Sequence, residues 1–324
     1  MSKIMGVGQV LNIAYTGIAA AECDGQTFSH TFKYSVGDTE SSIYKSSVYQ
    51  RMSAEEILEF KERTNMDLLS TVVFDEISMC IPEYLSYMDF VLRQARGIDS
   101  PFGNLAMFIT GDFNQLPPVL GESLYKSAIQ CAEYNLNNTR VIDGKFLSGD
   151  KFQLGNPHQH GVELFSKAYT VFLTDQKRST DKQHTEVIEK MSNGGSLSRD
   201  DLKLYKRLSQ EDFENDPSWH KASTVLASNH ERVKIGTYQA YNYAKMKGEH
   251  VVRFPLGIKS WKNKPDLNKH PHVKDDQALW GFFVRTAPGN LAANINPPIK
   301  LANGTPVEYH SIYWEDEELN DLYR

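Results

Sequence analysis

Two adjacent carboxylates, Asp75 and Glu76, close the apolar run Val72-Val73-Phe74. A strand ending this way delivers both acids to one edge of a sheet. In nucleotide hydrolysis the first acid of such a pair holds Mg²⁺ through its water shell, and the second orients the attacking water. Taken alone, Asp-Glu equally suits a charged surface turn. A second apolar run, Met107-Phe108-Ile109, leads into Thr110-Gly111-Asp112-Phe113-Asn114-Gln115. A glutamine at such an edge can reach a γ-phosphate and register its presence, and Pro117-Pro118 fixes the backbone direction just beyond it. The plainer alternative is a strand followed by a rigid turn.

These groups need strands that end together. Three short apolar runs, Val10–Ala14, Thr71–Phe74 and Leu105–Thr110, read as buried parallel strands. Helical patterns follow the first (Ile18–Glu22) and the second (Pro82–Arg93), so the fold class is α/β, a doubly wound parallel sheet. Such sheets place ligands beyond the carboxyl ends of their strands. The polar stretch 33–66 reads as a small insertion between two core strands. Glu186–Leu208 reads as two amphipathic helices, and Gln210–Trp219 as a linker. Thr224–Ala227 opens a new strand, followed by a helix to about Lys247; Lys259–Asp276 reads as a loop. A first domain over residues 1–209 and a second over 220–324 follow.

Composition sets limits. The 324 residues are 40% hydrophobic and 23% charged, with a net charge of −6, so no basic field over the whole molecule draws in nucleic acid. Any strand contact must come from a local groove. No apolar run approaches the roughly 20 residues that cross a bilayer, which excludes a membrane role. The start, Met-Ser-Lys-Ile-Met-Gly, lacks the apolar segment of a secretory signal, so an intracellular protein is expected. Cys23, Cys80 and Cys131 lie far apart and suit a reducing compartment. His158 and His160, like His270 and His272, read as solvated loop histidines, because no third ligand lies at a metal-binding spacing.

The two strand-end segments, with their spacing, resemble motifs II and III of the petite-integration-frequency (PIF) type superfamily 1 DNA helicases, relatives of RecD and of Helitron-transposon helicases. Other segments follow in that family's order. Ile13-Ala14-Tyr15-Thr16-Gly17-Ile18-Ala19-Ala20 with Gly25–Phe32 resembles motif Ia and its extension. Phe172-Leu173-Thr174-Asp175-Gln176-Lys177-Arg178 resembles the motif ending in a γ-phosphate arginine, and Val225–Asn229 the strand opening a second RecA-like domain. Leu301-Ala302-Asn303-Gly304-Thr305 resembles a later turn of that domain.

The resemblance implies a RecA-like P-loop NTPase fold, ATP and Mg²⁺ as cofactors, and a 5′-to-3′ helicase acting on single-stranded DNA or DNA junctions. It places Asp75 on Mg²⁺, Glu76 on the attacking water, Gln115 on the γ-phosphate, and Arg178 on the transferred phosphoryl group as an arginine finger. DNA contacts fall to Thr16, Gly17, Thr27, His30 and Phe32. A turn at Thr16-Gly17 offers backbone N–H groups and a hydroxyl to a phosphate, or is simply packed by Ala19–Ala21. His30 and Phe32 stack on bases, or belong to the core. The stretch 33–66 becomes a wedge subdomain.

The departures from the family are as specific. No Gly-x-x-x-x-Gly-Lys-Ser/Thr loop occurs in the chain: Gly144-Lys145 is followed by Phe146, and Gly6-Val7-Gly8 has no lysine to follow. The family's late arginine motif has no counterpart before Arg324. An incomplete motor, clipped at both ends and inactive alone, is expected. A non-catalytic remnant that binds single strands or a protein partner is the alternative.

Overall fold

The computed structural model describes residues 9–33, 48–50, 52–119, 121–137, 151–153, 157–216, 218–219, 222, 224–226, 228–256, 277–296 and 299–313. They fall into two compact units, residues 1–196 with 292–305, and residues 197–291 with 306–324.

The first unit is built on a wholly parallel sheet. Its strands are β1 (Val10–Ala14), β2 (Gln26–Thr27), β4 (Thr71–Asp75) and β5 (Ala106–Ile109), in the order β2-β1-β4-β5. The register aligns their ends, with Ala14 opposite both Thr27 and Asp75, and Phe74 opposite Ile109. On β4, Val72 and Phe74 share one face and are fully buried, while on the other face Thr71 is buried and Val73 half-buried, as parallel strands covered on both sides require. The helices on this sheet are α1 (Gly17–Glu22), α2 (Phe28–Phe32), α3 (Ala54–Thr64), α4 (Pro82–Arg96), α5 (Leu124–Asn137) and α6 (Pro157–Ser166), with α7 (Lys182–Ser192) further along.

Local sequence sets the limits of these helices. Pro82 opens α4, where its missing N–H costs nothing, and Gly97 closes it at φ 64°. In α3, Ser53 and Glu56 form a reciprocal capping box and Asn65 takes the left-handed closing position. The α3 segment also corrects an expectation. Phe60 and Met66 lie in the main core, Gln94 Oε1 accepts from the Met52 N–H at 2.9 Å, and Arg63 Nη2 donates to the Thr31 carbonyl at 2.7 Å. Residues 52–66 therefore belong to the sheet domain rather than to an insertion. Outside it, β3 (Val48–Gln50) pairs antiparallel with β6 (Lys151–Gln153).

His158 and His160 are not loop residues. Both sit on α6, packed against α4, where His158 Nδ1 meets Glu83 at 3.0 Å and His160 Nε2 meets Asp89 at 2.8 Å. Asp89 is fully buried and also accepts from Arg93 Nε and the Phe102 N–H. The helices approach so closely that a Cβ on Gly161 would stand 1.8 Å from the Pro82 carbonyl oxygen. His270 and His272 lie outside the described residues.

The second unit holds α8 (Arg199–Lys203), α9 (Gln210–Asn215), α10 (Asn229–Lys247), the antiparallel pair β7 (Val252–Pro255) and β8 (Trp280–Phe283), and the pair β9 (Pro288–Asn290) and β10 (Pro306–Glu308). The expected linker thus contains α9. Around Tyr243, Ala244, Val284 and Ala287 it has a small core, tied by Tyr243 Oη donating to the Thr286 carbonyl at 2.8 Å. A cavity of about 510 Å³ opens beside it, lined by Val233, Ala240, Trp280 and Phe282. Thr224–Leu226, expected to open a strand, runs irregularly, with Val225 96% exposed. Lys259–Asp276 lies outside the described residues. No helix among the described residues is long and apolar enough to cross a membrane.

Candidate functional site

Because the four parallel strands end together, their following residues form one row. Thr27 ends β2, Thr16 and Gly17 lie just past β1, Asp75 ends β4 with Glu76 next to it, and Thr110–Gln115 follow β5. The β4 and β5 ends are knitted by backbone: the Thr110 N–H donates to the Phe74 carbonyl at 2.9 Å, and the Ile77 N–H donates to the Thr110 carbonyl at 3.0 Å. Gly111 lets the two ends approach closely: a Cβ there would stand 3.1 Å from the backbone nitrogens of Ile77 and Ser78.

Asp75 Oδ1 accepts from the Glu76 N–H at 3.0 Å and from the Thr110 hydroxyl at 2.5 Å. Those bonds fix the carboxylate at the sheet edge. A carboxylate beside a hydroxyl is an all-oxygen donor set of the kind that holds hydrated Mg²⁺. The residues present therefore fit that hydrated ion. Among the described residues no glycine-rich loop is present to cradle the remaining phosphates.

Glu76 occupies the left-handed region at φ 57°, ψ 43°, costing on the order of 1–2 kcal/mol for a residue with a Cβ. Its carboxyl pKa is raised above the ordinary value, first by burial, then by repulsion from Asp75 and Asp112, with Glu22 adding a smaller share. The Arg178 charge pulls the other way. Groups from four separate segments thus act on one carboxyl group.

Gln115 is exposed and folded back on Asp112: its Nε2 donates to Asp112 Oδ2 at 3.3 Å and its N–H to the Asp112 carbonyl at 3.0 Å. Arg178 lies in an irregular exposed stretch, not after a strand. Tyr169, Val171, Phe172 and Leu173 are 68–94% exposed there, and residues 169–177 form no strand. Strand β5 is the last of its sheet, and Phe108 on it is 45% exposed. Among the described residues no strand lies beside β5 to cover these apolar side chains.

The residues assigned to DNA divide. Thr16 Oγ1 accepts from the Ala19 N–H at 3.3 Å and caps α1; Thr27 Oγ1 accepts from the His30 N–H at 3.3 Å and caps α2. His30 is exposed. Phe32 is not available to a base: it is 3% exposed, with the Phe28 ring 4.8 Å away and the Phe60 ring 5.6 Å away. The alternation along α2 puts Phe28, Thr31 and Phe32 inward and His30 outward. Gly17 is buried rather than exposed, beneath residues 292–305. That segment, expected in a second domain, packs within the first unit. Thr110 and Asp112 were not among the nominated residues, although both lie inside the strand-end segment that drew attention to Gln115.

Residues 2–140 match the family profile of the PIF1-like helicases. This stretch of the chain is similar to that family. Among curated relatives, the chain is 34% identical over 149 residues to the ATP-dependent DNA helicase PIF1 of Xenopus laevis, covering 42% of this chain and 21% of that protein. It is 34% identical over 122 residues to the PIF1 helicase of Saccharomyces cerevisiae, covering 37% of this chain and 13% of that protein. The chain thus spans about a fifth or less of the length of these two relatives. Among solved structures, a Pif1 helicase described in unwinding forked double-stranded DNA matches with a TM-score of 0.55 at 18% identity, over 94% of this chain and 62% of that one. A Bacteroides Pif1 helicase bound to ADP-AlF3 and single-stranded DNA matches with a TM-score of 0.50 at 20% identity, over 94% and 61%. The fold is α/β and RecA-like.

Proposed function

We propose that the chain is the central part of a PIF-type, ATP-dependent DNA helicase motor that moves 5′-to-3′. The observation that carries this reading is the row of Thr27, Thr16, Asp75–Glu76 and Thr110–Gln115 along one edge of a parallel sheet. Asp75, held by Thr110, would bind the hydrated Mg²⁺ of ATP. The bound ion would neutralise charge on the terminal phosphate. Glu76 would orient the attacking water, its raised pKa suiting it to receive a proton. Gln115 would leave Asp112 to contact the γ-phosphate, and Arg178 would neutralise charge on the transferred group. Thr16, Gly17, Thr27 and His30 would take the single strand, and DNA or DNA junctions would be the partner.

A second reading is a strand-binding or partner-binding remnant without turnover. Hydrolysis separates the two. The chain alone should hydrolyse Mg-ATP negligibly. With a phosphate-loop segment joined ahead of Gln9 it should turn over, Glu76→Gln should abolish that turnover, and Arg178→Ala should cost about 10³-fold in kcat. An Arg178→Ala enzyme within about threefold of its parent would reject the arginine's role, a thousandfold loss being the low end for such a residue. A joined enzyme with no DNA-stimulated turnover would favour the second reading.

A further inference from the structure

The turn between β1 and α1, the place where the proposed function puts a strand, is covered. A Cβ on Gly17 would stand 2.0 Å from Asn294 Oδ1 and 3.1 Å from the Ala302 methyl group, and Ala302 is fully buried. One residue on, Ile18 packs against Gly304: a Cβ there would lie 2.6 Å from Ile18 Cδ1. Gly304 sits at φ 93°, where a side chain would be strained as well as crowded.

The covering piece is internally stapled. Asn296 and Leu301 bridge, with the Leu301 N–H donating to the Asn296 carbonyl at 3.0 Å and the Asn296 N–H to the Leu301 carbonyl at 2.8 Å. Thr305 Oγ1 donates to the Lys300 carbonyl at 2.9 Å and accepts from the Ala302 N–H at 3.1 Å. Asn294 Oδ1 accepts from the Asn303 N–H at 2.9 Å, which holds that oxygen over Gly17. A piece that satisfies its own polar groups keeps its shape when it moves, so leaving the turn strands few of its own hydrogen-bonding groups. While it is seated, a carbonyl-type oxygen occupies the space over Gly17 that a phosphate oxygen would need, and two negative ends cannot share it.

We propose that residues 292–296 and 299–305 form an autoinhibitory strap over the Thr16–Gly17 turn, lifted when single-stranded nucleic acid engages there. This rests on the reading of that turn as a strand contact. The strap lowers apparent affinity by the fraction of molecules in which it is closed, so opening it raises affinity with no new contact made.

The test is fluorescence anisotropy with a labelled oligonucleotide, on the full chain and two variants, with melting temperature as a control. Asn294→Ala removes the oxygen over Gly17 and its bond to Asn303; binding should tighten about tenfold, the gain expected for a strap closed nine-tenths of the time. Asn294→Asp keeps an oxygen there and adds a charge, and should bind no better than the parent. Tightening by Asn294→Ala alone, at unchanged melting temperature, supports the strap. Equal or weaker binding by Asn294→Ala overturns it, and a weaker complex would make Asn294 a DNA contact instead. A Thr16→Val change in the Asn294→Ala background separates the two failures. If it leaves binding untouched, the strand lies elsewhere, and the turn's role falls together with the strap. If it weakens binding while Asn294→Ala has not tightened it, only the strap falls.

Discussion

His30 and Phe32 are two residues apart and carry similar flat rings, yet the structure separates them completely. Phe32 is locked between Phe28 and Phe60, while His30 faces solvent. Phe32→Ala should therefore cost about 3–5 kcal/mol of stability, as emptying a core aromatic site does, read from denaturant unfolding. His30→Ala should leave the unfolding midpoint in place and act only on oligonucleotide affinity. Equal stability losses from the two would contradict this division. Glu76 offers a pH test. Its folded pKa lies above its ordinary value, so the folded state holds the proton more tightly than the unfolded chain does. Stability from this group is full below the ordinary value near 4.5 and is lost as pH rises through the raised one. Glu76→Gln should thus raise the melting temperature at pH 7, by no more than about 2 °C for a group so open to screening, and should give no gain at pH 4. A gain that persists at pH 4 would point to backbone relief at the left-handed position instead.

At the scale of elements, contacts rather than propensities decide what a substitution does. Gly161 on α6 meets the Pro82 carbonyl of α4, and a methyl group there forces the helices apart. Gly161→Ala should destabilise by roughly 1–3 kcal/mol through overpacking. Gly236 on α10 has nothing within 4 Å of an added Cβ, so Gly236→Ala should stabilise its helix by about 0.5–1 kcal/mol. Opposite signs in calorimetric unfolding would bear this out, and a destabilising Gly236→Ala would count against it. The same principle explains what was legible in sequence. The strands β1, β4 and β5 were, because Val10–Ala14, Thr71–Asp75 and Ala106–Ile109 are short apolar runs ended by polar residues. So were Asp75 and Glu76, whose place at a strand end follows from that pattern. Phe172–Leu173 and Val225 are as apolar, yet form no strand among the described residues, because a strand needs a neighbour that sequence periodicity does not supply. The α4–α6 pairing of His158 with Glu83 and His160 with Asp89 joins residues more than 70 positions apart, which no local pattern signals. Thr16 was visible as a hydroxyl at a strand-to-helix turn, but its use as a cap, like that of Thr27, depends on where α1 and α2 begin.

On the scale of the whole molecule, the first unit is discontinuous, since residues 292–305 return to it after the 95 residues of 197–291. Bringing the ends of such a long excursion together has an entropic cost that grows only slowly with its length, so Ala302 and Gly304 can reach α1 without great penalty. A chain ending at 196 should still form the parallel sheet, because Ile13, Val72, Phe74 and Leu85 are all present in it. It should nevertheless melt lower than the first unit does in the full chain, and the amides of α1 should exchange faster with deuterium. Unchanged exchange at Ile18 and Ala19 would show that the strap contributes nothing to that helix. The same discontinuity imposes an order on biosynthesis. Gly17 leaves the ribosome hundreds of residues before Ala302, at about 5–20 residues per second, so for many seconds the nascent unit carries a bare patch over Gly17 and Ile18. During that interval the patch is open to whatever binds small apolar surfaces, and the unit is finished only once residues 292–305 have been made.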